Sequence, residues 1–494
     1  MSNRQLSIGI SGLAAYLPPY RVNLESWCRW NNDSWDKVAS VVGTSYRLPG
    51  PNENAYTMAA TAVLRLIDNY AIDPARIGYL AFGTESSTDN SAGAVIIKGM
   101  VNEVLIGRGS PLLSRNCEVP EFKHACLGGV YAMKAAARYL ALDGEGRQAI
   151  VVCADIAEYQ RGTSGEPTQG AGAVAMLVEA DPKLLTIELK ASGSSSDYRG
   201  PDFRKPFSRF TSQTNSPFQR PRDFPLFNGK YSTTCYIDEV LVATAHLVSK
   251  LEGSGRKFLR DMLAVFLHRP YQRMAETGLA MMLLYVLAVG DAEDRAELDK
   301  IALLSGVDAK LLQIELVQQP YVYNLVKNGQ VTEELYPSAT QALRTLRTMP
   351  NWHADISSKL QLGASEMKHV GNLYTASLPA WLAAGLEEAA AQQLKLDHSS
   401  ILTVGYGSGD AAEIIPMRLV PGWAEAAEKI RFRAALAEAA VDLDEDDYTA
   451  LHDDGRLPAG ALQRPGVFVI ERTGDGTASF DDTGFEYYAY TRSV

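Results

Sequence analysis

Residues 124–154 read HACLGGVYAMKAAARYLALDGEGRQAIVVCA. The Ala-rich stretch from Val130 to Leu140 has the composition of a helix, and Ala149 to Ala154 is a wholly apolar run of strand length. A strand that is apolar at every position needs cover on both faces. This helix followed by a continuous apolar strand predicts an α/β fold built on a buried sheet.

The same alternation extends through both halves of the chain. Further strands are predicted at residues 8–17, 77–82, 171–178, 263–267 and 400–404, and further helices at residues 57–70, 237–251, 274–289 and 378–391. In each half, polar clusters follow the apolar strands, which is where open α/β sheets place their sites. The pattern is compatible with a divergent duplication. Beyond it, a helix is expected at 424–440 and short strands at 467–470 and 485–490.

The composition narrows the class of protein. Of the 494 residues, 46% are hydrophobic and 21% charged, which excludes general disorder. Five cysteines are too few for a disulfide scaffold. A net charge of −11 argues against nucleic-acid binding. The longest apolar run, Gly278 to Gly290, is shorter than the ~20 residues that span a bilayer. With no leader-like N-terminus, we expect a soluble cytoplasmic protein without a membrane partner.

Cys126 is the first candidate for chemistry. It precedes Gly128 and Gly129 at the start of the Ala-rich helix, where the helix dipole would favour the thiolate. Such a thiolate could attack a thioester or carbonyl, with its own N–H stabilising the oxyanion. The alternative is a small buried hydrophobic residue. The other four cysteines show no metal-ligand spacing, so no metal site is predicted.

Three other strand ends carry candidates. His268 ends an apolar strand and could act as a base or polarise a carbonyl, with His124 and His369 as rivals. Glu85 lies in a loop after a strand and could move protons if partly buried. Asn372 and Ser377 flank a helix start, where capping alone would explain them. The glycine-rich loop at 405–409 lacks the lysine of a nucleotide-binding P-loop.

Together these segments resemble the 3-hydroxy-3-methylglutaryl-coenzyme A synthase family of thiolase-fold condensing enzymes. The resemblance covers residues 6–418. It rests on six motifs in order: Gly83-Thr84-Glu85-Ser86, Ala125-Cys126, Gly165-Glu166-Pro167-Thr168-Gln169-Gly170-Ala171-Gly172-Ala173, His268-x-Pro270, Gly371-Asn372-Leu373-Tyr374-Thr375 and Tyr406-Gly407-Ser408-Gly409.

The resemblance implies a duplicated thiolase-like fold with two mixed sheets and layered helices. It places one half at residues 1–178, with Cys126 and Glu85, and the second at 179–418, with His268 and Asn372. A C-terminal extension, 419–494, is expected to pack on the second half, and its acidic helix could cover the rim of the site. Homodimers are general in such enzymes, so we expect a homodimer.

The resemblance also implies a reaction. Cys126 would accept an acetyl group from acetyl-CoA, and Glu85 would remove a methyl proton. The resulting nucleophile would attack acetoacetyl-CoA, held and polarised by His268, to give HMG-CoA for the mevalonate route to isoprenoids. No metal or redox cofactor is implied, since the thioester itself acidifies the methyl group. The implied substrate contacts are Asn372, Tyr159, Ser408, Gly407, Thr168 and Arg273.

Two departures bear on the acyl carrier. Arg273 stands where the family has lysine, at an expected phosphate contact, and Asp410 stands where a small residue is more usual. A carboxylate near a CoA entrance would repel phosphate. Six basic residues between Arg199 and Arg222 could hold CoA phosphates or dock an acidic carrier protein: Arg199, Arg204, Lys205, Arg209, Arg220 and Arg222.

Three alternatives therefore stay open. A β-branching synthase would use the same residues on substrates bound to acyl carrier protein, although the charge of −11 mildly disfavours an acidic partner. A ketoacyl-synthase-like enzyme would commonly lack the Glu85 loop. A non-catalytic thiolase-fold scaffold would bind acyl groups or partners, and retention of Cys126, Glu85, His268 and Asn372 argues against it.

Overall fold

A mixed, ten-stranded sheet forms the centre of the protein. The structure is a computed structural model that describes residues 7–87, 90–200, 202, 224–226, 228–330, 334–479 and 481–492. The strands in this part of the chain are β1 Ile8–Tyr16, β2 Tyr20–Asn23, β3 Ser45–Leu48, β4 Ile77–Gly83, β5 Glu121–Phe122, β6 Gln148–Ala157, β7 Gly170–Ala180, β8 Leu185–Ile187, β9 Gly193–Ser196, β10 Ala264–Leu267, β11 Ser400–Gly407, β12 Ala411–Leu419, β13 Val441–Asp442, β14 Phe468–Thr473 and β15 Glu486–Tyr490.

The α-helices alternate with these strands. They are α1 Leu24–Asn31, α2 Trp35–Val41, α3 Ala55–Tyr70, α4 Gly93–Gly107, α5 Gly128–Leu142, α6 Lys230–Val248, α7 Gly255–Asp261, α8 Gln272–Val289, α9 Ala292–Ser305, α10 Ala309–Val317, α11 Val322–Lys327, α12 Pro337–Leu346, α13 Trp352–Asp355, α14 Ser377–Ala391, α15 Trp423–Ala427, α16 Phe432–Ala437 and α17 Glu445–Asp454. No helix among the described residues has both the length and the apolar character that a bilayer crossing requires.

The strand order is β10-β11-β12-β8-β1-β7-β6-β4-β5, with β9 also paired to β12. The short strand β8 bonds to β1 of the first half and to β12 of the second, both antiparallel. The two mixed sheets that the sequence predicts are therefore joined into one hydrogen-bonded path. Parallel pairs occur at β4–β6 and β10–β11, so the carboxyl ends of these strands lie at common edges.

Two helices are buried between the halves. Helix α5 packs on β4, β6 and β7, and α14 contacts β1 and β7 as well as β10 and β11. Helices α3 and α4 cover the other face of the first half, and α6 and α8 cover the second. The predicted α/β class is confirmed, and buried strands such as β6 and β7 are apolar along almost their whole length.

The C-terminal extension corrects two expectations. The helix expected over residues 424–440 is two short helices, α15 and α16, because Arg431 adopts a left-handed conformation with φ of 58°. From Val441 onward the chain packs on the first half rather than the second. Strand β13 pairs with β2, and Tyr448 and Leu451 of α17 join an apolar cluster with Trp27.

Candidate active site

A cavity of about 270 Å³ lies where strand ends of the two halves meet. Six of the nine residues predicted as site residues line it: Cys126, Tyr159, Thr168, His268, Asn372 and Ser408. Glu85 reaches the same place through its contact with the cysteine. Tyr406, Tyr271 and Met274 contribute much of the remaining wall, which is mainly apolar.

Cys126 and Glu85 are in direct contact. The thiol Sγ donates to Glu85 Oε1 across 3.1 Å. Burial, and then the neighbouring Glu85 carboxylate, raise the pKa of the Cys126 thiol well above its ordinary value. The sequence predicted a thiolate favoured by the helix dipole, and this is wrong for the resting state. Both Cys126 and Leu127 precede α5, and the carboxylate 3.1 Å away outweighs the dipole.

The backbone around Cys126 is held in an unusual geometry. Ala125 has a φ of 43°, which costs a residue with a Cβ about 1–2 kcal/mol. The turn is packed tightly, because a Cβ on Gly129 would lie 2.4 Å from Cys153 Sγ. Only glycine lets α5 begin this close to β6, and this approach brings Cys126 to the Glu85 loop.

Asp155 holds the Glu85 loop, and the sequence analysis missed it. One carboxylate oxygen accepts hydrogen bonds from the Glu85 N–H at 2.8 Å and the Ser86 hydroxyl at 2.7 Å. The other oxygen accepts from the Thr375 N–H at 3.0 Å, so Asp155 ties the two halves together. The sequence did contain a hint of this role, because Asp155 directly follows the apolar run of β6. A carboxylate buried in a strand is costly unless other groups hydrogen-bond to it.

His268 is buried and neutral. It follows β10, and its backbone N–H donates to the carbonyl oxygen of Val404 in β11 at 2.7 Å. Burial lowers the pKa of His268 to about 3. Its Nδ1 finds no hydrogen-bond partner among the described residues. The ring lines the cavity, and at neutral pH it brings no charge. The rival His124 packs against Tyr131, and His369 contacts Thr44; neither lines the cavity.

Asn372 both holds a turn and forms part of the cavity wall. Its Oδ1 accepts hydrogen bonds from the Tyr374 N–H and the Ser377 hydroxyl, each at 3.0 Å. Its Nδ2 donates to the Tyr159 hydroxyl at 3.4 Å. The Asn372 side chain therefore closes the turn before α14 without capping a helix, so the capping interpretation is wrong. The amide nitrogen side belongs to the cavity, where Tyr159 packs edge-on against Tyr374.

Two predicted substrate contacts lie elsewhere. Gly407 does not line the cavity: a Cβ there would lie 2.4 Å from the His124 carbonyl oxygen, so this glycine packs against the cysteine turn. Arg273 is exposed and lines an adjacent cavity of about 420 Å³, which shares Thr233, Tyr271 and Met274 with the first. Gly407 is therefore a packing residue, and Arg273 lies at the adjacent cavity, which we interpret as the entrance.

The expectations for Arg199 and Asp410 are wrong. Arg199 is 2% exposed and bonds to Asp238 and Glu239 of α6, so it cannot contact phosphate. The rest of the predicted basic cluster, residues 204–222, lies outside the described residues. Asp410 is buried and accepts from the Tyr406 hydroxyl at 2.7 Å, so it is not a charge at an entrance.

The loop from Tyr159 to Gln169 is fixed by the C-terminal extension. Glu166 accepts from Trp27 Nε1 at 3.0 Å and from the Tyr448 hydroxyl at 2.7 Å. Gln169 Nε2 donates to the Tyr448 hydroxyl at 3.0 Å, and His452 Nε2 lies 2.9 Å from the Tyr159 carbonyl oxygen. The motif from Gly165 to Ala173 is thus largely a structural support for one wall of the cavity.

Two family models match the chain. Residues 4–183 match the N-terminal model of hydroxymethylglutaryl-coenzyme A synthase, and residues 331–449 match the C-terminal model. The chain belongs to the hydroxymethylglutaryl-coenzyme A synthase family. Among curated relatives, the synthase of Haloferax volcanii is 28% identical over 82% of this chain and 81% of its own. That of Saccharomyces cerevisiae is 25% identical over 96% of this chain and 89% of its own.

Solved structures of this synthase family have the same architecture. MvaS in complex with 3-hydroxy-3-methylglutaryl coenzyme A has a TM-score of 0.74 and 26% identity, covering 99% of this chain and 100% of the other. The HMG synthase of the curacin pathway, in complex with holo donor-ACP, has a TM-score of 0.69 and 19% identity, with coverages of 98% and 100%. The second likeness supports the fold alone. The predicted thiolase-like fold is confirmed, and the family is that of condensing acyltransferases.

Proposed function

We propose that this chain is a hydroxymethylglutaryl-CoA synthase that condenses acetyl-CoA with acetoacetyl-CoA and releases HMG-CoA and CoA. The observation that carries the proposal is the 3.1 Å contact of Cys126 Sγ with Glu85 Oε1 in a cavity that His268 also lines. A nucleophile and a base in hydrogen-bond contact are the arrangement that covalent acyl transfer needs.

The first step is acyl transfer. Glu85 accepts the thiol proton as Cys126 Sγ attacks the acetyl-CoA carbonyl, and the departing CoA sulfur takes that proton back. The carbonyl oxygen becomes an oxyanion between the N–H groups of Cys126 and Ser408, which are the proposed donors. The raised pKa of the thiol keeps the resting cysteine protonated, so proton transfer to Glu85 accompanies the attack rather than precedes it.

The second step forms the carbon–carbon bond. Glu85, again ionised, removes a proton from the methyl group of acetyl-Cys126, and the carbanion attacks the C3 carbonyl of acetoacetyl-CoA. Neutral His268 donates a hydrogen bond to that carbonyl oxygen, and Asn372 Nδ2 lies within the same cavity. The alkoxide takes up one proton, which balances the one held on Glu85. Water then cleaves the thioester and restores the thiol. No metal or redox cofactor takes part.

The entrance supports a phosphate-bearing carrier arm. The 420 Å³ cavity next to the active site has four basic residues on its wall: Lys230, Arg273, Arg344 and Arg347. Arg347 is bound to Glu276 at 2.9 Å, and Glu334 adds one further acid. A pantetheine arm that runs from this entrance to Cys126 would place its phosphates among basic side chains.

Both CoA and an acyl carrier protein present such an arm, so intact-mass spectrometry after brief incubation with each donor tests the proposal. With acetyl-CoA, wild type should gain the mass of one acetyl group, Cys126→Ala should gain none, and Cys28→Ala, which lies outside the cavity, should behave as wild type. A gain from acetyl carrier protein alone would move the assignment to β-branching. No gain from either donor would refute the proposed reaction.

We also propose that the enzyme acts as a cytoplasmic homodimer in the mevalonate route. The support is the family membership and the predominance of hydroxymethylglutaryl-CoA synthases among the relatives. Light scattering coupled to size-exclusion chromatography should give twice the chain mass. A monomer that still forms the acyl-enzyme would contradict the homodimer and leave the chemistry intact.

A further inference from the structure

Asp410 differs from every other carboxylate near the cavity because it belongs to the turn that carries Ser408. Its Oδ1 accepts hydrogen bonds from the Gly409 N–H at 2.5 Å and from the Tyr406 hydroxyl at 2.7 Å. Through these two contacts the Asp410 side chain folds back onto the turn to which it belongs. Tyr406 and Ser408 both line the active-site cavity, so Asp410 lies directly behind two of its wall residues.

The other face of Asp410 meets a second buried carboxyl. Asp202 is 2% exposed, as is Asp410, and the Tyr406 hydroxyl also lies 3.3 Å from Asp202 Oδ2. Asp202 Oδ1 and Asp410 Oδ2 have no hydrogen-bond donor among the described residues. Carboxylate oxygens of the two residues lie within 4.8 Å of one another and of Cys235 Sγ. Two like charges this close in a dry site cannot both persist without a proton or a cation between them.

The surroundings favour a proton. Among the described residues, the titratable groups that face the pair are Tyr406 of β11, Cys235 and Tyr231 of α6, and Asp197, whose backbone pairs with that of Asp410. The cation beside Cys235, Arg199, is already bound by Asp197, Asp238 and Glu239. Burial, and then the charge of Asp202, raise the pKa of Asp410 to about 9.

We propose that Asp410 is a positioning residue for the acyl-transfer reaction: by sharing one proton with Asp202 it holds the Tyr406–Gly409 turn, and with it the Ser408 N–H, against the cysteine turn. The close fit of Gly407 to the His124 carbonyl gives this turn little room to move. The inference rests on the proposed function for its catalytic consequence. For the shared proton it rests on the closeness of the two buried carboxyl groups, together with the raised pKa of Asp410.

Two substitutions separate the possible roles. Asp410→Leu removes both acceptor contacts. Asp410→Asn keeps an oxygen to accept from Tyr406 and Gly409 and supplies an N–H donor to Asp202, so it imitates the protonated acid permanently. Both variants are neutral at this position, and melting curves would show whether each is folded. The readout is the rate of acetyl-enzyme formation from pH 6 to 10, followed by intact mass.

We expect Asp410→Leu to form acetyl-enzyme about tenfold more slowly at pH 7, a fraction of the ~10²–10³ lost with an entire oxyanion donor. The rate of acetyl-enzyme formation in Asp410→Asn should stay within about threefold of the wild-type rate. In wild type we expect this rate to decline as the pH rises through about 9, and Asp410→Asn should lack that decline. Wild-type speed in folded Asp410→Leu, or an identical alkaline decline in Asp410→Asn, would overturn the proposal. A metal analysis that finds one equivalent of zinc bound to wild type and none bound to Asp410→Leu would also overturn the proposal, because a cation would then replace the shared proton.

An infrared measurement keeps this test independent of the chemistry. At pH 7 the spectrum of wild type minus Asp410→Asn should contain the C=O stretch of one protonated carboxyl group, and the band should vanish above the pKa of the pair. If no donor acetylates wild type, the proposed function fails while this band still decides the shared proton. Absence of the band refutes the shared proton.

Discussion

At the scale of single residues, the contact between Cys126 and Glu85 allows a test of the proposed acyl transfer, in which Glu85 is the base. Glu85→Gln should lower the rate of acetyl-enzyme formation by about 10²–10⁴, because the thiol loses the group that takes its proton. Rapid-quench intact mass would measure this. Glu118→Gln, an exposed carboxylate of the same half, serves as the control and should keep the wild-type rate. Full speed in Glu85→Gln would assign the thiol proton to another acceptor.

The burial of His268 predicts how the free energy of unfolding changes with pH. Its folded pKa is about 3 against 6.5 in water, so between these values the unfolded chain binds a proton that the folded chain refuses. The free energy of unfolding should therefore fall as the pH falls through this window, by about 1.4 kcal/mol per pH unit from this group. His268→Asn should remove that part of the slope in urea titrations at pH 6 and 4. Exposed His353→Asn should retain it, and equal slopes in wild type and His268→Asn would contradict the prediction.

The predicted residues that contact one another most directly or share the cavity wall follow strands inside recognisable motifs. Cys126, Glu85 and His268 are of this kind, and the structure brings them together. Asp155 accepts a hydrogen bond from the Thr375 N–H, 220 positions away, and no local pattern encodes that partner. Asp410 bonds within its own turn, but its neighbour Asp202 lies about 200 positions earlier in the chain. Arg199 was misjudged because its acidic partners lie about 40 residues further on, in α6.

At the scale of elements, the glycines before α5 determine how near the cysteine turn lies to β6. Gly129→Ala would place a Cβ 2.4 Å from Cys153 Sγ, and overpacking of this kind costs about 1–3 kcal/mol. We expect a lower melting temperature and slower acetyl-enzyme formation. The change Gly99→Ala, in the middle of α4 with no atom within 4 Å, should instead stabilise by about 0.5–1 kcal/mol.

A double variant checks the cause. Cys153→Ala removes the sulfur that the new methyl group meets, so Gly129→Ala should cost much less when combined with it. Additive losses in the two single variants and the double would show that the strain arises elsewhere in the turn.

Most elements with a strong apolar period were predicted within a few residues, although α6, predicted at 237–251, begins seven residues earlier, at Lys230. Helix α3 begins two residues before the prediction because Asn54 caps it, accepting from the N–H groups of Tyr56 and Thr57. The helices from Ala292 to Asp355 were not predicted, since their exposed faces carry apolar residues such as Leu303 and Ile314 that blur the helical period. The very short strands, β5 and β13, owe their existence to pairing partners and have no signal of their own.

At the scale of the whole molecule, the C-terminal extension supports the first-half wall of the active-site cavity, through the loop that carries Tyr159. Tyr448→Phe removes one hydroxyl that donates to Glu166 and accepts from Gln169, which should cost about 1–3 kcal/mol and weaken substrate binding through the Tyr159 loop. Thermal melting and KM would measure both effects. Tyr487→Phe loses a comparable hydroxyl contact, to Asp482 in the terminal hairpin, and should leave KM unaltered. A loss of stability in Tyr448→Phe without any rise in KM would separate the extension from the site.

The bond between His452 and the Tyr159 carbonyl also sets an order of events in time. The two residues are 293 positions apart, so a ribosome working at ~5–20 residues per second delivers His452 roughly 15–60 s after Tyr159. During this interval the nascent chain already contains Cys126 and Glu85, while the Tyr159 loop lacks its contact with His452. A chain that stops before residue 452 would therefore carry Cys126 and Glu85 with this part of the cavity wall unsupported.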